Sequence, residues 1–194
     1  MKMKKVFFIG LALVVFVPIL YSFMRAKIET PDYEVLRKIE AHIEIRKYPA
    51  LILAQTQLDT NSYEAIGNTG FRRVASYIFG GNESNQKISM TAPVLMEMDQ
   101  KSDMSFVMPK KYSLEQLPTP SNQSVKLLQK ESRVLAVLRF GGYASDKKIQ
   151  EKAAELKAVL QKEGLTHASK LIYMGYNAPW DFVFRRNEVA FELN

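Results

Sequence analysis

The chain of 194 residues has no cysteine and only two histidines. The first absence excludes a bacterial lipoprotein and is compatible with an oxidising compartment. Together the two absences leave a zinc centre almost without ligands, and no His-Glu-x-x-His pattern occurs. A Ser-His-Asp hydrolase would need a strand–turn–helix nucleophile motif, and none is found. With no convincing nucleophile, base and oxyanion set, the chain reads as a non-enzyme. Charge of one sign is also scarce where it would matter for nucleic acid. Residues 1–27 hold five basic residues (Lys2, Lys4, Lys5, Arg25, Lys27) and no acidic one. The other 22 basic residues nearly balance the 20 acidic ones, without a basic run, so a nucleic-acid partner is not expected.

One long apolar run is present. Residues 6–24 are 19 residues without a charge, preceded by three lysines. As a helix at about 1.5 Å per residue they would reach roughly 28 Å, close to the ~30 Å hydrocarbon core. A cleaved signal peptide usually has a shorter apolar region followed by small residues at the cleavage site. Tyr21-Ser22-Phe23-Met24 offers no such pair, which favours an uncleaved anchor over residues 1–27 and a domain over 28–194. The excess of lysine before the run places the N-terminus in the cytoplasm. The expectation is a single-pass membrane protein with an extracytoplasmic domain.

Within the domain the order of elements repeats. Strand-like alternation covers 34–40, 42–48 and 51–58, a helix follows over 62–79, and strands follow over 88–98 and 104–108. The second half has strands over 125–129 and 133–140, a helix over 147–163, and strands over 169–175 and 188–193. The Pro-containing segment 109–124 is the crossover. This is an α+β pattern: a mainly antiparallel sheet with two helices packed on it. Pro93 cannot donate to a ladder, which predicts an edge or bulge position beside the Gly80-Gly81-Asn82 turn. In the row Glu40, His42, Glu44, Arg46 a histidine stands between two carboxylates, a metal-like arrangement that a solvated strand face explains better. His167, after Gly164, is placed in an exposed loop.

The first helix carries more apolar surface than one sheet contact needs. At 100° per residue Tyr63, Ile66, Gly67, Gly70, Val74, Tyr77 and Ile78 form one stripe. Phe71, Ala75 and Phe79 extend it to one side, where Asn68 and Arg72 also lie. Two aromatics with an arginine beside them suit a flat, apolar, acidic ligand such as a porphyrin. Packing of Phe71 and Phe79 against loops or the second helix is the competing reading. Two glycines within one turn, Gly67 and Gly70, mark a close approach by the sheet or by a ligand. Asn61, with Glu64 three residues on, is the expected N-terminal cap.

Several short motifs stand in a particular order. They are Glu44-Ile45-Arg46-Lys47-Tyr48, Lys87-Ile88-Ser89-Met90-Thr91-Ala92-Pro93-Val94, Pro118-Thr119-Pro120, Phe140-Gly141-Gly142-Tyr143, Tyr176-Asn177-Ala178-Pro179 and Arg185-Arg186-Asn187-Glu188-Val189. In this order they resemble the SOUL haem-binding family. The resemblance implies a pseudo-symmetric, distorted antiparallel barrel of about eight strands with two long flanking helices. It also implies haem held against the first helix, hence on Asn68, Phe71, Arg72, Ala75 and Phe79. Lys47 occupies the position of a proposed axial histidine, so haem or another tetrapyrrole would be weakly ligated. Met90, Met96 and Met98 are expected to share a strand face, as core filler rather than ligands. The implied role is a buffer or carrier. A second reading, by likeness to effector-binding domains of bacterial regulators, is a sensor module for amphipathic molecules, with Glu188 as a buried carboxylate for a cation. A surface pair of Glu188 with Arg185 or Arg186 is the plainer alternative.

Overall fold

The structure is a computed structural model and describes residues 28–178, 181 and 183–194. The expected anchor over 1–27 lies outside the described residues. Among those described, no helix is long and apolar enough to cross a membrane.

Nine strands form one sheet: β1 (Glu34–Glu40), β2 (Ile43–Tyr48), β3 (Leu51–Leu58), β4 (Val94–Met98), β5 (Ser102–Val107), β6 (Val125–Lys130), β7 (Arg133–Phe140), β8 (Leu171–Gly175) and β9 (Asn187–Glu192). The order is β1-β2-β7-β9-β8-β4-β5-β3-β6, and every pairing is antiparallel. The expected barrel of about eight strands is therefore corrected. The sheet is open, with β1 and β6 at its edges.

The pseudo-symmetry is exact in strand order once β1 is set aside. From the central pair β4 and β8 outward, β5 matches β9, β3 matches β7, and β6 matches β2. Each repeat sends its first strand across: β2 pairs with β7, and β6 pairs with β3. The two halves thus cover each other's outer strands.

The first helix is composite. Tyr63–Ala65 and Phe71–Ile78 are α-helical and Ile66–Gly70 between them is π-helical; together we term them α1. The second helix, α2, spans Asp146–Lys162. At Gly70 an added Cβ would lie 2.9 Å from Leu58 Cδ1 and 3.0 Å from Met104 Cβ. The close approach at this glycine is made by the sheet.

One face of the sheet carries both helices. Ile66, Val74, Tyr77 and Ile78 of α1, and Ile149, Ala153, Leu156 and Leu160 of α2, pack there with Ile43, Met104, Phe106, Leu138 and Phe191. The other face folds on itself around Tyr48, Leu53, Leu95, Val107, Leu135, Val137, Ile172, Met174 and Ala190. Residues two apart in one strand share a face, which is why Met96 and Met98 enter the helix-side core while Leu95 enters the other.

The strand expected over 88–98 is shorter than that. The ladder begins at Val94, and Pro93, after a cis Ala92–Pro93 peptide, stands just before it. β4 is a central strand, not an edge; the proline is accommodated by lying outside the ladder. Met90 accordingly falls outside β4, half-exposed, and does not share the face of Met96 and Met98.

Candidate functional site

The predicted flank of α1 is divided by the fold. Ala75 is buried, and Phe71 is half-buried with its ring 5.2 Å from that of Phe106 of β5. These two belong to the core. Asn68, Arg72 and Phe79 face outward, with Phe79 62% exposed. The Arg72 Nε donates to the Asn68 carbonyl at 3.2 Å, holding the guanidinium along the helix surface.

The segment after α1 folds back beside Phe79. Gly80 has φ +112°, and an added Cβ at Gly81 would lie 2.7 Å from the Ser76 carbonyl oxygen. Neither position tolerates a side chain without a shift in the turn. The buried Asn82 amide donates to the carbonyls of Tyr77 (3.0 Å) and Gln86 (2.8 Å), and Ile88 N–H donates to Ile78 at 2.8 Å. The result is a bridge between Phe79 and Lys87. An exposed ring is thus set beside one lysine, with Arg72 two turns back on the same flank. Such a surface suits a flat apolar acid lying on it, its carboxylates toward the two cations.

Neither histidine is on this side. His42 Nε2 is 3.0 Å from Glu155 Oε1 and 4.0 Å from Glu40 Oε2, a surface contact that ties the β1–β2 turn to α2. His167 is half-buried rather than in an exposed loop. Its ring stacks at 4.7 Å on Phe191, and Nδ1 is 2.7 Å from the Ala168 carbonyl. Among the described residues no cluster could hold a metal ion. Lys47 is exposed on β2.

On the inner face of the sheet, the one without helices, one small hollow could not take a porphyrin. The hollow lined by Tyr48, Leu95, Arg133, Leu135 and Met174 measures about 10 Å³. Ligand pockets typically measure about 300–1000 Å³. A second hollow of about 250 Å³ lies under the N-terminal segment, between Glu29, Leu51, Val107 and Lys110. Two buried carboxylates stand on the inner face. Glu188 is fully buried and accepts from Arg46 Nη1 (3.0 Å), Arg186 Nη2 (2.8 Å) and Tyr176 Oη (2.9 Å). Its expected alternative as a surface pair is corrected, since the pairing with Arg186 is real but internal. Arg185 instead donates to the carbonyls of Ala178 and Asp181. Glu97, the other, faces Arg133 (2.9 Å), Lys130 (3.4 Å) and Lys170 (3.5 Å). Burial pushes its carboxyl upward, but the three cations together hold it below the usual range.

A family model described as SOUL heme-binding protein matches residues 28–192. The chain belongs to this family. Among curated relatives, heme-binding protein 2 of Homo sapiens is 30% identical over 155 residues, covering 75% of each chain. Heme-binding protein 1 of Xenopus laevis is 25% identical over 159 residues, covering 78% of this chain and 83% of the relative. Two solved structures share the fold. The EcmrR C-terminal domain has a TM-score of 0.59 at 7% identity, covering 84% of this chain and 98% of that one. A hydrolase from Listeria innocua has a TM-score of 0.56 at 9% identity, covering 79% and 92%. At such identities the likeness concerns fold alone.

In this SOUL domain, of the five residues expected on one flank, Asn68, Arg72 and Phe79 are exposed. Spacing on the helix did not separate them from Phe71 and Ala75, because the core reaches one residue row further round α1. Lys87 stands in one of the ordered motifs and is not among the residues expected on the helix flank. The signal that could have found it is the Gly80-Gly81-Asn82 turn, which reverses the chain and returns position 87 to the helix end.

Proposed function

We propose that this protein is a membrane-anchored SOUL module that holds haem or a related tetrapyrrole on the outer flank of α1, as a buffer or carrier without catalysis. The observation that carries the reading is the exposed Phe79 beside Arg72 and Lys87, in a family whose relatives are named heme-binding proteins. Bound haem would supply its iron without a strong axial imidazole from the described residues, because His42 and His167 are engaged beside α2 and β9. Asn68 would orient Arg72, Arg72 and Lys87 would pair with propionates, and Phe79 would cover one face of the ring, with the core residues Phe71 and Ala75 supporting the surface from beneath. Residues 6–24 hold the domain at a bilayer, on the extracytoplasmic side by the lysine asymmetry. The sensor reading is weaker here, because Glu188 already has Arg46 and Arg186 as counter-charges and a cationic ligand would have to displace them.

The test is titration of the detergent-solubilised full chain with haemin. A saturable Soret change typical of weak ligation supports the reading. Absence of saturable binding removes it, and affinity for lipophilic cations without a Soret change would transfer the case to the sensor.

A further inference from the structure

The end of the domain where the N-terminal segment enters carries four exposed apolar side chains. Ile28 is 50% exposed, Met90 39%, Val183 56% and Phe184 86%. They are distant in sequence, and backbone pairing around the start of β4 links the segments that bear them. Glu29 bridges Thr91, and Ala92 N–H donates to the Glu29 carbonyl at 2.9 Å, which sets Ile28 beside Met90. Two residues on, Val94 pairs with Gly175, and Tyr176 N–H reaches the Arg186 carbonyl at 3.3 Å, closing the root of the loop that bears Val183 and Phe184. Tyr33, from the same entering segment, lies under the Arg46 guanidinium (4.4 Å), and Arg46 is bonded to Glu188 together with Arg186 and Tyr176.

From this arrangement we infer that Ile28, Met90, Val183 and Phe184 form a face that docks on the lipid bilayer, seating the domain against the membrane. The inference rests on the anchor reading for residues 6–24, since the last uncharged residue of that run, Met24, is only four residues from Ile28. So short a link keeps this end of the domain near the headgroups. The loop is built for such a place. Asn177 and the Ala178 N–H donate to Asp181, Arg185 donates to the Ala178 and Asp181 carbonyls, and Arg186 N–H donates to the Asn177 side chain. These hydrogen bonds satisfy several of the loop's polar groups within the loop itself, which lowers the cost of apolar surroundings. Phe184 has φ +54°, a conformation that a bulky residue rarely adopts, and is 86% exposed there. Exposed lysines at 87 and 111, with Arg25 and Lys27 in the link, add attraction to an anionic surface. Asp32 is paired with the Lys110 ammonium, and Glu29 accepts the Lys110 backbone N–H.

The chain contains its own reporter, because its single tryptophan, Trp180, belongs by sequence to the loop between Asn177 and Arg186. The full chain is reconstituted into phosphatidylcholine–phosphatidylglycerol vesicles with or without brominated acyl chains, and flotation and Trp180 emission are both read. Docking predicts strong quenching by the brominated lipid, reduced several-fold in Val183→Ser/Phe184→Ser and measurably in Met90→Ser, with unchanged circular dichroism. A chain that floats while Trp180 is unquenched overturns the docking face and leaves the anchor standing. A chain that does not float, with Trp180 unquenched, overturns both. Equal quenching in the parent and the double variant overturns the assignment to Val183 and Phe184. So does a variant that merely changes from dimer to monomer, since the face would then meet a second copy.

Discussion

Asp146, in the first turn of α2, caps Tyr63 at the start of α1. Its Oδ1 accepts the Tyr63 N–H at 2.6 Å and its Oδ2 accepts the Ser62 hydroxyl at 3.1 Å. The α2 cap itself is Ser145, whose Oγ accepts from Lys148 N–H at 3.3 Å. One carboxylate therefore stands at the positive ends of two helices, one from each repeat. The expected local cap from Asn61 is replaced by a long-range one, and the Ser62 position makes no side-chain cap of its own.

Asp146→Ala should destabilise the fold by about 1–2 kcal/mol, the usual range for a lost helix cap. Asp146→Asn should cost less, since an amide oxygen can still accept while its charge is gone. Denaturant midpoints of the two variants check this. Equal stability of Asp146→Ala and the parent would show that the link between the helices carries no weight.

Gly70→Ala should destabilise by about 1–3 kcal/mol, because the added methyl meets Leu58 Cδ1 at 2.9 Å and Met104 Cβ and Sδ at 3.0 Å in a packed core. At Gly67 the nearest atom to an added Cβ is Met96 Cε at 3.9 Å, so Gly67→Ala should be neutral or stabilising. The sign difference between two glycines one turn apart is the measurement.

The Glu97 cluster sets an acid dependence. Its folded-state carboxyl titrates below the unfolded one, so its contribution to stability is complete above the unfolded pKa, near 4.5, and is lost as pH falls through the lower folded value. Glu97→Gln should lower stability at neutral pH and flatten the loss on acidification. Arg133→Ala should cost roughly 2–3 kcal/mol, less than the about 3–5 kcal/mol of a wholly orphaned buried charge, because Lys130 and Lys170 remain near Glu97. Thermal melts from neutral to acid pH compare the three proteins.

On the ligand side, Phe79→Ala should weaken haemin binding most, since that ring is 62% exposed and held by no core contact of the kind Phe71 makes. Losing a stacked ring of this type costs about 0.5–1.5 kcal/mol beyond its buried area. Arg72→Ala and Lys87→Ala should each weaken binding only several-fold, as exposed ion pairs are worth about 1 kcal/mol or less. Unchanged affinity in all three would remove the site while leaving family membership intact.

Local pattern was enough for much of this protein. Alternation and helical spacing located both helices, most strand positions, the repeat and the α+β class, because each follows from which side of an element must be buried. The ordered motifs identified the family. Of the five residues that the same local rules set on one flank, Asn68, Arg72 and Phe79 are exposed. What they could not supply depends on partners far away in the chain. Asp146 at Tyr63, Glu97 among Arg133, Lys130 and Lys170, and the exchange of β2 and β6 between repeats all join residues tens of positions apart. The internal pairing of Glu188 depends in part on the same cause, for Arg46 reaches it from β2, whereas Arg186 is its near neighbour in the chain. Whether the sheet closes, and how much space its inner face leaves, is decided by side-chain volumes meeting across the fold, and only the tertiary structure brings those volumes together.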